Sequence, residues 1–211
     1  MQETSVCGLK PELWKNGNHV LAVLLMDASG SMFTLRTAVV EAMNGHLDTL
    51  KTAEKTDNVS TVILSFNSTV QCLSAHDLVQ KAQPARGFFP EGGTRLYGVL
   101  REILEEILPH VEAAKGRLKL VLAAFTDGMD RDSTTADLEA VKELSVKLQL
   151  LNADLVFVGF GVDAKAQAVE MRWPRDLACR VKASASGVQT SMHSVSRTTM
   201  TSIVCFHGKP N

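Results

Sequence analysis

The sequence predicts an α/β fold: a doubly wound, mostly parallel β-sheet with one antiparallel edge strand and helices on both faces. Two apolar runs, residues 20–26 and 118–125, each stop at a polar turn, as strands buried on both faces of a parallel sheet do. Segments with apolar residues at helical spacing lie between such runs. Because strands and amphipathic helices alternate, a sheet covered by helices on both faces is the expected architecture.

The strands are predicted from short apolar runs bounded by turn residues. Residues 20–26 (VLAVLLM) are seven consecutive apolar residues, which favours a central strand. Asn67 and Ser68 indicate a turn that returns the chain as an antiparallel hairpin partner at the sheet edge. The predicted strands are 20–26, 59–66, 69–73, 118–125, 155–160 and 180–183.

The helices are predicted from apolar residues at i, i+3, i+4 and i+7. His46 falls on such a stripe, and we interpret it as a packed, hydrogen-bonded core histidine rather than a ligand. Pro109 is predicted to end the helix that follows Thr94, and Trp173 is interpreted as a packing residue. The predicted helices are 33–55, 77–82, 96–108, 138–151, 164–171 and 188–203.

Composition limits the classes of function and the compartment. The chain has 211 residues and a formal net charge of -1, so global charge gives no case for nucleic acid or anionic lipid as the main partner. No apolar run reaches transmembrane length, and the first residues lack the apolar core of a signal peptide. The four cysteines are scattered, which favours reduced thiols in a cytoplasm, or a secreted protein if a signal peptide was removed.

Five polar residues mark a predicted site at the carboxyl edge of the sheet. Asp27, Ser29 and Ser31 follow the first strand, Thr94 follows two glycines, and Asp127 follows the second apolar run. Ligands bind at this edge in open α/β sheets. Two aspartates there would raise each other's pKa unless a cation lay between them, and oxygen ligands of this kind suit Mg²⁺.

This pattern resembles the metal-ion-dependent adhesion site (MIDAS) of the von Willebrand factor type A (VWA) domain family. The resemblance extends over nearly the whole chain, implies a domain at 19–205 between an extension at 1–18 and a tail at 206–211, and matches all five motif positions. It implies Mg²⁺, or Mn²⁺ or Ca²⁺, held directly by Ser29 and Ser31 and anchored by Asp27 and Asp127. Contacts of Thr94 and Asp127 would change with affinity state. The partner implied is a protein that presents Asp or Glu, including ATPase complexes for intracellular relatives. Because the first residues lack a signal peptide, the intracellular group is expected, and with it a bacterial cytoplasmic protein.

Several alternatives stay open at the level of sequence. The DASGSM and TDG segments are also compatible with capped strand-to-helix turns that bind no metal. A Mg²⁺-dependent hydrolase, phosphatase- or esterase-like, is the alternative function, although neither a GxSxG elbow nor a P-loop is present. Asp130, Asp132 and Glu91 are interpreted as solvated charges at the rim. Cys7 and Cys205 would form a disulfide only if they pair as terminal cysteines do in some secreted relatives.

Two further expectations concern the site itself. We expect Asp27 to lie at an exposed strand end, so that Asp27→Ala removes the metal and spares the fold. We also expect no catalytic residues, because none of the six histidines falls in the motif loops where a general base would be needed.

Overall fold

The computed structural model describes residues 5–15, 17–53 and 56–207 and contains a six-stranded sheet in the order β3-β2-β1-β4-β5-β6. The strands are β1 (His19–Asp27), β2 (Val59–Phe66), β3 (Val70–Leu78), β4 (Leu118–Thr126), β5 (Asp154–Phe160) and β6 (Ala178–Val181). The longer helices are α1 (Arg36–Lys51), α2 (Leu96–Ala113), α3 (Thr135–Leu150), α4 (Ala164–Glu170) and α5 (Ala185–His207). Every strand pair is parallel except β2 with β3, which confirms the predicted fold class.

The centre of the sheet is apolar on both faces because β1 and β4 are buried along their whole lengths. Side chains alternate across a strand, so Leu21, Val23 and Leu25 enter the cluster that contains α2 and α3 residues. Leu24 and Met26 enter the opposite cluster, which contains residues of α1 and α5. The two clusters fix β1 in the middle, with its last residue, Asp27, at the carboxyl edge.

Two predicted elements are wrong. No helix forms at 77–82: residues 77 and 78 end β3, where they pair with Thr61 and Ser60 of β2, and residues 79–81 form a turn. That pairing extends the hairpin of β2 and β3 and overrides local preference. Pro109 does not end α2, which continues to Ala113 because Leu108 and Val111 are buried in the core.

Other boundaries shift by a few residues. The helix predicted from residue 33 begins as α1 at Arg36, after a 3₁₀ helix at Gly30–Leu35; its predicted end at 55 lies outside the described residues. α5 begins at Ala185 and extends to His207, and Phe206 is buried there. β6 begins two residues before its predicted start. No helix in the described part of the chain is long and apolar enough to cross a bilayer.

The two predicted packing residues are confirmed. His46 is buried, and its Nδ1 lies 2.9 Å from Oγ of Ser196, which joins α1 to α5. Trp173 is also buried, meets the Phe157 ring edge-on, and donates from Nε1 to Oγ of Ser145 at 2.8 Å. Burial explains why the pKa of His46 falls to about 4.

Residues 5–15, here called the N-terminal strap, pack across α2 at the amino edge of the sheet. The strap buries Cys7 and Trp14 in the core. The carboxylate of Glu106 on α2 accepts hydrogen bonds from the backbone amides of Val6 (2.6 Å) and Cys7 (3.0 Å). All four cysteines are free thiols, so Cys7 and Cys205 form no disulfide in this structure.

Candidate metal centre

Asp27 is the buried centre of the predicted site. It has no exposed surface, which corrects the expectation that it lies at an exposed strand end. Its Oδ1 accepts from the backbone amide of Ser29 at 2.7 Å, and its Oδ2 accepts from the hydroxyl of Thr126. Burial raises the pKa of Asp27, the bonds from Thr126 and Ser29 lower it, and the charge of Asp127 raises it again.

The serines and Asp127 lie directly beside this carboxylate. Ser29 precedes the 3₁₀ helix that follows β1, and its Oγ lies 3.2 Å from Oγ of Ser31. Ser31 donates to Oδ1 of Asp127 at 2.7 Å, which joins the loop after β1 to the loop after β4. Ser29 is buried and Ser31 is exposed, so one side of this cluster faces solvent.

Thr94 comes to the same place on a third loop. The amide of Gly30 donates to the carbonyl of Gly92 at 3.2 Å, which fixes this loop against the loop after β1. The Thr94 carbonyl accepts from the amide of Arg131 at 3.0 Å, which fixes it against the loop after β4. A Cβ added to Gly128 would lie 3.7 Å from Thr94 Oγ1, so the Thr94 hydroxyl faces the loop of Asp127. The structure therefore brings together all three predicted loops.

The interpretation of the neighbouring acids as solvated rim charges is wrong for Asp130. Its carboxylate is half-buried and accepts from the amide of Tyr97 at 3.2 Å and from the hydroxyl of Ser133 at 2.6 Å, which ties the loop after β4 to the start of α2. Asp132 is exposed, yet a Cβ on Gly93 would collide with its carboxylate. Glycine at position 93 thus lets the Asp132 carboxylate approach the Thr94 loop closely.

Three supporting residues were missed by sequence reasoning. Thr126 holds Asp27, and the only signal for it is its place immediately before Asp127. The side-chain amide of Asn67 donates to the Glu91 carbonyl at 3.2 Å, and the backbone carbonyl of Asn67 accepts from the Arg95 amide at 3.0 Å. Gln167 of α4 donates to the Gly128 carbonyl at 3.3 Å. No sequence pattern marks Gln167, because 39 residues separate it from Gly128.

The donor set consists entirely of oxygen: two carboxylates and three hydroxyls. In the described ranges, no three His, Cys, Asp or Glu side chains converge as a metal cluster, so a cation at this edge must take hydroxyl oxygens as well as carboxylates. Hydroxyl, carboxylate and water oxygens are the ligands of hard cations such as Mg²⁺ and Ca²⁺. The residues present therefore fit a hard divalent cation.

Solved structures share this architecture, whereas no protein-family model and no curated protein sequence matches the chain. The vWF domain of the type V pilus tip protein Mfa5 from Porphyromonas gingivalis matches with a TM-score of 0.63 at 12% identity, over 92% of this chain and 99% of that chain. The chain has the fold of a VWA domain. The pilus adhesin SpaC from Lactobacillus rhamnosus GG also matches it, with a TM-score of 0.66 at 13% identity, over 88% of this chain.

A third VWA match carries a metal. Proximal thread matrix protein 1 from the mussel byssus, with a zinc-occupied MIDAS motif, matches with a TM-score of 0.55 at 15% identity over 85% of this chain. The chain spans 30% of the SpaC chain and 47% of the mussel chain. At these identities the likeness is one of fold, and the metal is a property of the mussel protein.

Proposed function

We propose that this VWA domain is a metal-dependent protein-interaction module and not an enzyme. Asp27, Ser29, Ser31, Thr94 and Asp127 hold a divalent cation, Mg²⁺ by preference, and a partner's Asp or Glu carboxylate completes its coordination. The observation that carries the proposal is the hydrogen-bonded junction of three loops at one sheet edge, with Ser31 joined to Asp127 at 2.7 Å. A set of capped turns would not require loops 96 residues apart to share their polar side chains.

The charge balance of the site explains why an outside carboxylate would bind. Three of the five proposed donors are neutral hydroxyls, so they offset none of the positive charge of the cation. Asp27 is fully buried with its oxygens already held by Thr126 and Ser29, whereas Ser31 faces solvent. An anionic ligand that arrives from solvent can replace a metal-bound water on the open side.

The hydrolase alternative gains no support from the position of the histidines, all six of which lie in the described part of the chain. His19 and His76 bond to Ser60 at the opposite edge of the sheet, and His46 bonds to Ser196. A phosphatase and esterase screen in Mg²⁺ tests this alternative, since turnover that Asp27→Asn abolishes would establish an enzyme. A bacterial cytoplasmic location and an ATPase complex as partner stay predictions.

Calorimetric titration with Mg²⁺ tests the ligand assignment. Thr94→Ala removes one donor oxygen and should weaken binding, whereas Thr94→Ser retains the hydroxyl and should bind nearly as the parent does. Asp163→Ala is a matched control, because this exposed aspartate follows the neighbouring strand β5 and caps α4 through the Ala166 amide. Equal affinities for the Thr94→Ala and Thr94→Ser variants would remove Thr94 from the ligand set.

A further inference from the structure

Exposed apolar side chains lie on all three loops that form the proposed metal site. Among the described residues, six large hydrophobic side chains are exposed, and three of them lie on the three loops of the site. These are Phe33 (58% exposed), Phe89 (49%) and Met129 (66%), here called the apolar rim. Phe33 lies two residues after Ser31, and Met129 lies two residues after Asp127.

The apolar rim is held by fixed contacts. Phe89 follows Phe88, which is 2% exposed and so anchors this loop in the core. The Arg36 guanidinium lies 5.2 Å from the centre of the Phe89 ring, and its Nε donates to the Phe88 carbonyl at 3.1 Å. Arg36 directly follows the 3₁₀ helix that contains Phe33. These contacts join the loop of Phe89 to the loop of Phe33.

The third member is held in the same way. Met129 lies between Gly128, whose carbonyl accepts from Gln167 at 3.3 Å, and Asp130, which Tyr97 and Ser133 hold. Its backbone is therefore fixed on both sides while 66% of the residue is exposed to water. Apolar side chains that are held in place without burial on adjoining loops are typical of interaction surfaces.

We propose that the partner segment carries an acidic residue flanked by apolar side chains. This inference rests on the proposed function, because the metal would take the carboxylate while the apolar rim covers the flanking side chains. The exposed Arg36 guanidinium lies at the same rim and complements a negatively charged segment. The metal recognises the carboxylate of the partner, and the apolar rim recognises the apolar side chains on either side of that acidic residue.

Two capped peptides test the inference: one places Asp between two leucines and the other places Asp between two serines. With Mg²⁺ at saturation, titration followed by NMR should show the leucine-flanked peptide binding about tenfold more tightly. Phe33→Ser and Met129→Ser should remove most of this difference without changing Mg²⁺ affinity. Val204→Ser is the matched control, because Val204 is 65% exposed on α5, away from the site loops, and should leave both affinities unchanged.

The outcomes separate the two proposals. If Mg²⁺ does not bind in calorimetry, the proposed function fails, and this inference fails with it. If Mg²⁺ binds but the two peptides bind equally or not at all, the inference is overturned while the metal site stands. Tight binding of the leucine-flanked peptide in the presence of chelator would also overturn it, since the rim would then act without the metal.

Discussion

The carboxyl and amino edges of the sheet both bury polar side chains, but the first is open to solvent and the second is covered by the N-terminal strap. At the carboxyl edge, Asp27 and Ser29 are buried while Ser31 is open to water. At the amino edge, His19 and His76 flank Ser60, with Nε2–Oγ distances of 2.8 and 2.9 Å, and are covered by the N-terminal strap. One edge joins oxygen-rich loops that face solvent, and the other is closed.

At the amino edge, the donor and acceptor of each hydrogen bond can be assigned from the bond that the Lys10 amide donates. The Lys10 amide donates to Nδ1 of His76 at 2.9 Å, so neutral His76 carries its proton on Nε2 and donates to Ser60. Ser60 then donates to Nε2 of His19. Trp14 covers the group, with its ring centre 5.4 Å from that of His76 and 6.1 Å from that of His19. This chain of hydrogen bonds joins the N-terminal strap to β3, β2 and β1.

The largest expected effect comes from opening the closed edge. Trp14→Ala removes the buried ring that packs on His19, His76 and His110, and should lower the free energy of unfolding by about 3–5 kcal/mol. Denaturant unfolding measures this loss, and Phe33→Ala at the exposed rim is the control, with an expected change within about 0.5 kcal/mol. If Mg²⁺ affinity also collapsed in Trp14→Ala, the two edges would not be independent.

Acidification should weaken the same edge. Burial lowers the pKa of His19 and of His76 to about 4, and in His76 the nearby Lys10 and His110 lower it while Asp77 and Glu12 raise it. Between about pH 6.5 and pH 4 the unfolded chain binds more protons, so the stability held above pH 6.5 is lost as the pH falls. The pKa difference of each histidine between the unfolded and folded chain corresponds to a loss of at most about 3 kcal/mol in the free energy of unfolding. Unfolding midpoints from pH 7 to 4.5 measure the loss, with His46→Gln as background because His46, buried between α1 and α5, titrates over the same range. A flat profile would contradict the prediction.

The hydrogen bonds of the strap give a smaller effect. Glu106→Ala removes the acceptor for the Val6 and Cys7 amides and should cost about 1–3 kcal/mol. The Cys7 thiol is buried in the parent protein and should react faster with a thiol reagent in Glu106→Ala. Mass spectrometry of the labelled peptide measures this rate. Glu105→Ala is the matched control, because Glu105 is exposed and pairs with Arg101 at 3.9 Å on the surface of α2. Unchanged labelling of Cys7 in Glu106→Ala would mean that other contacts hold the strap.

Substitutions at two glycines give the smallest expected effects, one on stability and one on Mg²⁺ affinity. A methyl group on Gly45 meets nothing within 4 Å, so Gly45→Ala in the interior of α1 should stabilise the fold by about 0.5–1 kcal/mol. At Gly93 an added methyl group collides with the Asp132 carboxylate, but this is the end of an exposed, flexible side chain that can move aside, so Gly93→Ala should leave Mg²⁺ affinity nearly unchanged. Thermal unfolding and calorimetry check the two changes. Loss of Mg²⁺ binding in Gly93→Ala would show that the Asp132 carboxylate cannot move aside.

The sequence predicted the elements whose signal is local. The run of consecutive apolar residues in β1 is sufficient to predict a buried strand, and the acid and hydroxyl residues that follow it could be placed at the carboxyl edge of the sheet. Their role as metal ligands stays a prediction. The end of β3 was missed because it depends on pairing with β2, and Pro109 misled because buried neighbours hold the helix past it. The support from Gln167 depends on a contact that only the tertiary fold creates.

The strap was missed for a related reason. Its first turns are polar and short, and its position depends on Glu106, about 100 residues away, together with the histidines beneath Trp14. Polar residues at strand ends could be recognised from sequence, but which edge is closed and which is open could not. That distinction depends on what covers each edge in the folded protein.

The most direct test of the metal site is thermal unfolding in Mg²⁺ and in chelator, for the parent chain and for Asp27→Asn. Asparagine retains the shape of the buried side chain and removes its charge. With Mg²⁺ at about 100 times its Kd, the parent should gain about 2.7 kcal/mol, or about 5–10 °C in Tm, over the chelated protein. Asp27→Asn should show no gain, and Asp163→Asn should retain it in full. A parent Tm that Mg²⁺ leaves unchanged, or an equal gain in Asp27→Asn, would contradict a cation site at this edge.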